Sequence, residues 1–211
     1  MVHTRWFRIV VCLLVLFSLE GLQTCERRQQ RDAGAYPAAT LPWAAPHNAG
    51  ERRLSRYDFL LKKYAQRIGM DWRLLAAIVY HESKFNERAV SPVGAKGLMQ
   101  VMDIAALHYD MHEEDLFDPE TNIRLGTILL EDLFEQFARE GVADEDILRF
   151  ALASYNVGGG ALARRRAVAD SLGLNPNDWA AVASVFDLDD HSTPGYIDAV
   201  EATYERYCAR F

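Results

Sequence analysis

From Met70 to Gln100 the chain reads MDWRLLAAIVYHESKFNERAVSPVGAKGLMQ. Asp71 is a helix N-cap by residue type, and Trp72 to Glu82 run on with neither Gly nor Pro. Leu75, Ile78, Val79 and Glu82 stand at i, i+3, i+4 and i+7, which puts them on one helical face. That face is otherwise apolar, so the glutamate closes a core stripe. Burial disfavours the charged form of a carboxyl group and raises its pKa. A carboxylic acid still protonated near neutral pH can act as a general acid. The competing reading is a Glu that frays from the last turn into water, and the helix by itself does not separate the two.

The residues after Glu82 favour chemistry. Ser83 follows, then a polar loop closed by Ser91-Pro92-Val93-Gly94, then Gly97-Leu98-Met99-Gln100. Further on comes Ala153-Ser154-Tyr155-Asn156-Val157-Gly158. Each piece is weak alone. In this order and spacing, Glu-Ser, Gly-Leu-Met-Gln and Ala-x-Tyr-Asn-x-Gly together resemble the lytic transglycosylases of the SLT type, which cut bacterial cell-wall peptidoglycan. The resemblance spans Leu54 to Tyr207. It implies a mainly α, lysozyme-like (goose-type) helical domain with a substrate groove, and it implies no cofactor and no metal.

The same resemblance implies the roles. Glu82 would be both acid and base, protonating the leaving oxygen and then taking the proton of the substrate's own 6-hydroxyl. That hydroxyl would close a 1,6-anhydro ring on the muramic acid, with no water added. Ser83 would orient groups at the centre, Met99 would supply apolar wall, and Gln100 would offer its amide to an N-acetyl group. Tyr155 would reach Glu82 with its hydroxyl, and Asn156 would support that end of the site. Tyr196 matches an aromatic near the start of the family's last helix. Within the family, Tyr57-Asp58, Lys62-Lys63-Tyr64, Asp71 to Ala77 and Asn175-Pro176-Asn177-Asp178-Trp179 look like the catalytic domain of the F-type membrane-bound enzymes. Those carry an N-terminal solute-binding domain where a linker is expected here. Their stretch before the last helix is also longer than the one holding Asp187, Asp189 and Asp190.

Periodicity predicts the other helices. One runs from a Ser55 cap to Ile68, and a small one follows Asp103. Asp118-Pro119-Glu120 starts a helix with Ile123, Leu130, Phe134 and Phe137 inward, closed by Gly141. Asp144 opens the next, with Leu148, Ala151, Leu152 and Tyr155 as its stripe. Gly158-Gly159-Gly160 breaks it, and another runs from Ala161 to Asp170. A short helix is expected from an Asn177 cap. The last starts at Thr193-Pro194 with Ile197, Val200, Tyr204 and Cys208 inward. His108 and His112 stand four apart, but there is no His-Glu-x-x-His, so they read as a solvated pair. His81 points about 100° from Glu82 on an ideal helix and receives no role.

The 211 residues, half of them hydrophobic, allow a single domain after an N-terminal arm. Net charge is −7, and Arg164-Arg165-Arg166 is too short a run to argue for nucleic acid. Residues 1–25 read as a targeting segment: Arg5 and Arg8 precede the apolar run Ile9 to Leu19. That run is short for a membrane span, which takes about 20 residues. There are three cysteines, Cys12, Cys25 and Cys208. Leu22-Gln23-Thr24-Cys25 resembles a lipobox, with Thr24 where a smaller residue is usual. Acylation of Cys25 is therefore expected. A Cys25–Cys208 disulfide and an uncleaved signal anchor stay open beside it. Residues 26–53, with Pro37, Pro42 and Pro46, read as a linker, and 54–211 as the catalytic domain. The expected setting is the bacterial cell envelope. The protein would be tethered on the periplasmic side, at the outer membrane before the inner, with glycan strands as partner and a monomer as the simplest state.

Overall fold

The computed structural model describes residues 53–109, 112–186 and 192–211. The targeting segment, Cys12, Cys25, nearly all of the linker, and Asp187, Asp189 and Asp190 lie outside them. The described elements are α1 (Asp58–Arg67), α2 (Trp72–Ser83), α3 (Asp103–His108), a 3-10 turn (Glu113–Phe117), α4 (Pro119–Arg139), α5 (Asp144–Val157), α6 (Gly159–Ser171), α7 (Trp179–Phe186) and α8 (Ser192–Cys208). Among the described residues, β pairing is confined to isolated antiparallel bridges, Val90 with Lys96 and Lys96 with Val101. Lys96 therefore sits at the crossing of two short turns.

Helix starts follow their caps. Asp71 accepts from Arg73 N at 2.9 Å, and Asp118 accepts from Thr121 N at 2.8 Å with Pro119 behind it. Asp144, Glu145 and Asp146 fill the first turn of α5, at the positive end of its dipole. Three starts differ from the sequence reading. Helix α1 begins at Asp58 rather than after Ser55, because the Asp58 carboxylate accepts from Leu54 N (2.8 Å) and Ser55 N (2.7 Å) and folds the preceding chain onto itself. Gly158, at φ +82°, makes the break alone, and α6 starts at Gly159. Asp178 rather than Asn177 caps the α7 turn, accepting from Ala180 N at 3.1 Å, while Asn177 donates to the Glu140 carbonyl.

Helix α2 is the central element, with α1 on one side and α8 along the other. Leu74, Leu75, Ile78 and Val79 are fully buried between them. Helix α5 packs on α4, α6, α7 and α8, so it is buried on more than one face. Ile147, Phe150 and Ala153 turn inward beside the expected Ala151 and Leu152, while Leu148 is only partly covered. On α8 the inner residues are Ile197, Val200 and Thr203. Cys208 is exposed in the last turn, contrary to the expected stripe.

Candidate active site

Glu82 lies in the last turn of α2, directly above the buried Ile78 and Val79. Its side chain is partly buried, and burial raises its pKa above the ordinary value of 4.5. Two weaker influences pull the other way: a hydrogen bond from Tyr196 and the charge of Lys84. The Tyr196 hydroxyl donates to Glu82 Oε1 at 2.6 Å. Burial, and then the Glu82 charge, push the Tyr196 phenol well above its usual range, so it remains a donor. With Oε1 occupied as acceptor, the acidic proton of a protonated Glu82 belongs on Oε2.

The hydroxyl assigned to Glu82 from sequence was that of Tyr155, and the structure corrects this. Tyr155 donates instead to the Met99 carbonyl at 2.7 Å. Its ring is near enough for the Glu82 charge to add to the burial that raises its phenol. The correction has a simple origin. Tyr155 and Tyr196 both approach the end of α2, and only the tertiary arrangement of α5 and α8 decides which one reaches the acid.

The Gly97-Leu98-Met99-Gln100 segment is fixed from two sides. Tyr155 holds the Met99 carbonyl, and Asn122 of α4 accepts from Met99 N at 2.7 Å. Asn122 is fully buried and donates from Nδ2 to Lys96 O (2.9 Å) and Leu116 O (2.8 Å). Gly97 is required where it stands: its φ is +76°, and an added Cβ would lie 2.3 Å from Asn122 Nδ2 and from Leu116 O. The Met99 side chain is fully buried against Gly126, so it is core rather than exposed apolar wall. Gln100, at φ +51°, donates from Nε2 to Gly97 O (3.0 Å) and Ala89 O (3.3 Å). Both bonds use the donor end of the amide and leave its oxygen as an acceptor.

Ser83 is also placed differently from its expected role. It is buried, and its hydroxyl donates to Val79 O at 3.2 Å, back into its own helix. Asn156 is exposed, and its Oδ1 accepts from the buried Thr193 hydroxyl at 3.0 Å. That bond ties the end of α5 to the first turn of α8, three residues before Tyr196. The sequence reading gives no site role to Asn122, Thr193 or His81. Asn122 carried a usable signal: it stands at i−4 and i−8 from Gly126 and Leu130, a polar residue on the inward stripe of α4. His108 and His112 do not share a helix, since α3 ends at His108. Among the described residues no group of three or more His, Cys, Asp or Glu could hold a metal ion.

Eight described helices around one partly buried acid define the lysozyme-like class of fold. Solved structures that resemble it say the same. The 70 kDa soluble lytic transglycosylase of Escherichia coli superposes with a TM-score of 0.55 at 30% identity, over 72% of this chain and 24% of that one. A complex of the 70 kDa soluble lytic transglycosylase with bulgecin A gives 0.56. An inactive mutant of lytic transglycosylase Slt from Pseudomonas aeruginosa gives 0.57 at 24% identity, over 74% of this chain and 24% of that one. The profile of the transglycosylase SLT domain matches residues 59–175, and the chain belongs to that family. Membrane-bound lytic murein transglycosylase F of Desulfosudis oleivorans is 39% identical over 137 residues, and that of Marinobacter nauticus 41% over 138. These alignments take in 64% and 65% of this chain but only 29% and 27% of the relatives, so the chain matches less than a third of their length.

Proposed function

We propose that this protein is a peptidoglycan lytic transglycosylase that works with Glu82 as its single acid and base. The observation that carries the reading is the Glu82–Tyr196 pair: a carboxyl group whose pKa burial raises, with one oxygen held by a phenol. In the first step Glu82 Oε2–H protonates the glycosidic oxygen between MurNAc and GlcNAc, and the C1–O bond breaks with its electron pair leaving on that oxygen. In the second, the MurNAc 6-hydroxyl attacks C1, and its proton returns to the Glu82 carboxylate. The product ends in a 1,6-anhydro ring, and no water is consumed. The acceptor left on Gln100 suits an N–H of an N-acetyl group. Asn156, Tyr155 and Met99 act behind the site, by fixing α8 and the Gly97–Gln100 segment.

The relatives are named membrane-bound, and the N-terminal run ending at Cys25 supports a tethered envelope protein here. Among the described residues no helix is long and apolar enough to cross a membrane. Mass spectrometry of the material released from purified sacculi tests the reaction. Muropeptides ending in 1,6-anhydro-MurNAc, one water lighter than hydrolysis products, are expected. Free reducing ends would make the protein a lysozyme-like hydrolase, and no release at all would make it a wall-binding protein.

A further inference from the structure

Beside the Glu82–Tyr196 pair stands a side chain with no place in the reaction. His81 lies next to Glu82 on α2 and turns toward α8. Its Nε2 is 2.9 Å from Thr203 Oγ1, and its ring meets that of Tyr196 edge-on, with centroids 6.3 Å apart and planes at 87°. Tyr80 flanks the other side, also edge-on, at 5.3 Å. Thr203 is itself fixed: it is buried and accepts from Arg206 Nη2 at 2.7 Å. Tyr196 and Thr203 are seven residues apart, about 10 Å along the same side of α8. The imidazole is wedged between them, anchored at one end and pressed on the tyrosine at the other.

We propose that His81 is the positioning residue for Tyr196, the wall against which that ring rests so that its hydroxyl stays on Glu82. The idea rests on the proposed role of Glu82. The charges around His81 agree with it. Burial pushes its pKa down, Lys84 of its own helix and Arg206 of α8 push the same way, and a hydrogen bond with the Ala199 backbone opposes them. The ring is thus uncharged at neutral pH and serves as an aromatic surface rather than as a third cation beside Lys84 and Arg206.

The test is a double-substitution cycle of His81→Ala and Tyr196→Phe in the full-length protein. Its readout is the Glu82 carboxyl titration followed by 13C NMR, assigned with Glu82→Gln. The Tyr196 hydrogen bond favours the Glu82 carboxylate, so Tyr196→Phe should move the Glu82 titration upward. His81→Ala should move it the same way by a smaller amount, and the double variant should titrate where Tyr196→Phe does. A cavity that merely admitted water to Glu82 would move the titration down instead. On turnover, His81→Ala should lower kcat by about tenfold, as expected for one misdirected hydrogen bond, with KM little changed. Should His81→Ala fail to fold, His81→Gln keeps a hydrogen-bonding amide for Thr203 without the ring edge and carries the same cycle. Shifts that add, or a Glu82 titration unmoved by either His81 variant, overturn the proposal. An inactive wild type would refute the lytic reading instead, while the titration cycle would still decide the role of His81.

Discussion

Removing one hydroxyl from Tyr196 and one from Tyr155 should produce opposite phenotypes. Tyr196→Phe takes away the donor 2.6 Å from Glu82 Oε1 and leaves the rest of the ring in place. A hydrogen bond to a charged group contributes about 1.5–3 kcal/mol. If that bond serves to orient the acid, its loss should slow turnover by roughly tenfold to a hundredfold. The alkaline limb of the pH profile should also move up, since a donor that favoured the carboxylate is gone. Stability should change little, because the Glu82 oxygen set free can meet water. Tyr155→Phe strips the donor from a Met99 carbonyl whose residue is fully buried. Leaving a buried acceptor unpaired costs about 1–3 kcal/mol. For a domain of this size, each kcal/mol lowers Tm by about 2–4 °C. Release of muropeptides from sacculi across pH, with thermal unfolding of the same samples, measures both effects. A Tyr155→Phe protein with a shifted alkaline limb and unchanged Tm, beside a Tyr196→Phe protein with wild-type turnover, would refute the assignment of the two hydroxyls.

Glu82→Gln should fold, bind sacculi and release no soluble product, whereas the wild type should lose activity as pH rises through the raised Glu82 pKa. The same shift has a sign for stability. Between the ordinary value of 4.5 and the raised one, the folded protein holds more protons than the unfolded one, so wild type weakens as pH climbs through that window. Glu82→Gln should therefore unfold at a higher temperature than wild type at neutral pH, and the gap should close on acidification below 4.5; a gap independent of pH would sink the desolvation argument. Asn122→Ala removes three hydrogen bonds, buried ones to Met99 and Leu116 and a part-buried one to Lys96, and at about 1 kcal/mol each it should lower stability by about 3 kcal/mol in urea unfolding. Cys25 should take up a clickable palmitate analogue in a bacterial host and Cys25→Ser should not. Equal labelling of the two, or none of the wild type, removes the lipid anchor.

The sequence carried the helices with strong local signals. Asp71 and Asp118 cap the helices they were expected to cap, and the spacing of Leu75, Ile78, Val79 and Glu82 placed the acid on an inward face. Weak starts went astray where a neighbouring carboxylate intervened: Asp58 binds the backbone of Leu54 and Ser55 ahead of α1, and Asp178 takes the α7 cap in place of Asn177. The site was legible in its residue types and not in its pairings. Tyr155 and Tyr196 are each a tyrosine on a helix that packs near α2, and no spacing within one helix says which hydroxyl arrives at Glu82. Ser83 and Met99 belong to recognisable motifs, yet one hydroxyl bonds back into α2 and one side chain faces Gly126. His81 was dismissed on its angle from Glu82, and that angle is what directs it onto the tyrosine that serves Glu82.

The partners Glu82 and Tyr196 are 114 positions apart along the chain, twice the 56 that separate Tyr155 from Met99. Helices and short-range turns form quickly, while contacts between distant positions must wait for long loops to close. Helix α2, the Asn122 tie and the Gly97–Gln100 segment can therefore assemble before α8 has docked. In that interval Glu82 is present but has no phenol to orient it, and no imidazole is pressed against its phenol. The Glu82–Tyr196 pair is then among the contacts that depend on the docking of α8. A chain cut before Ser192, or one whose α8 has come loose at its first turn, keeps the acid while losing the group that aims it.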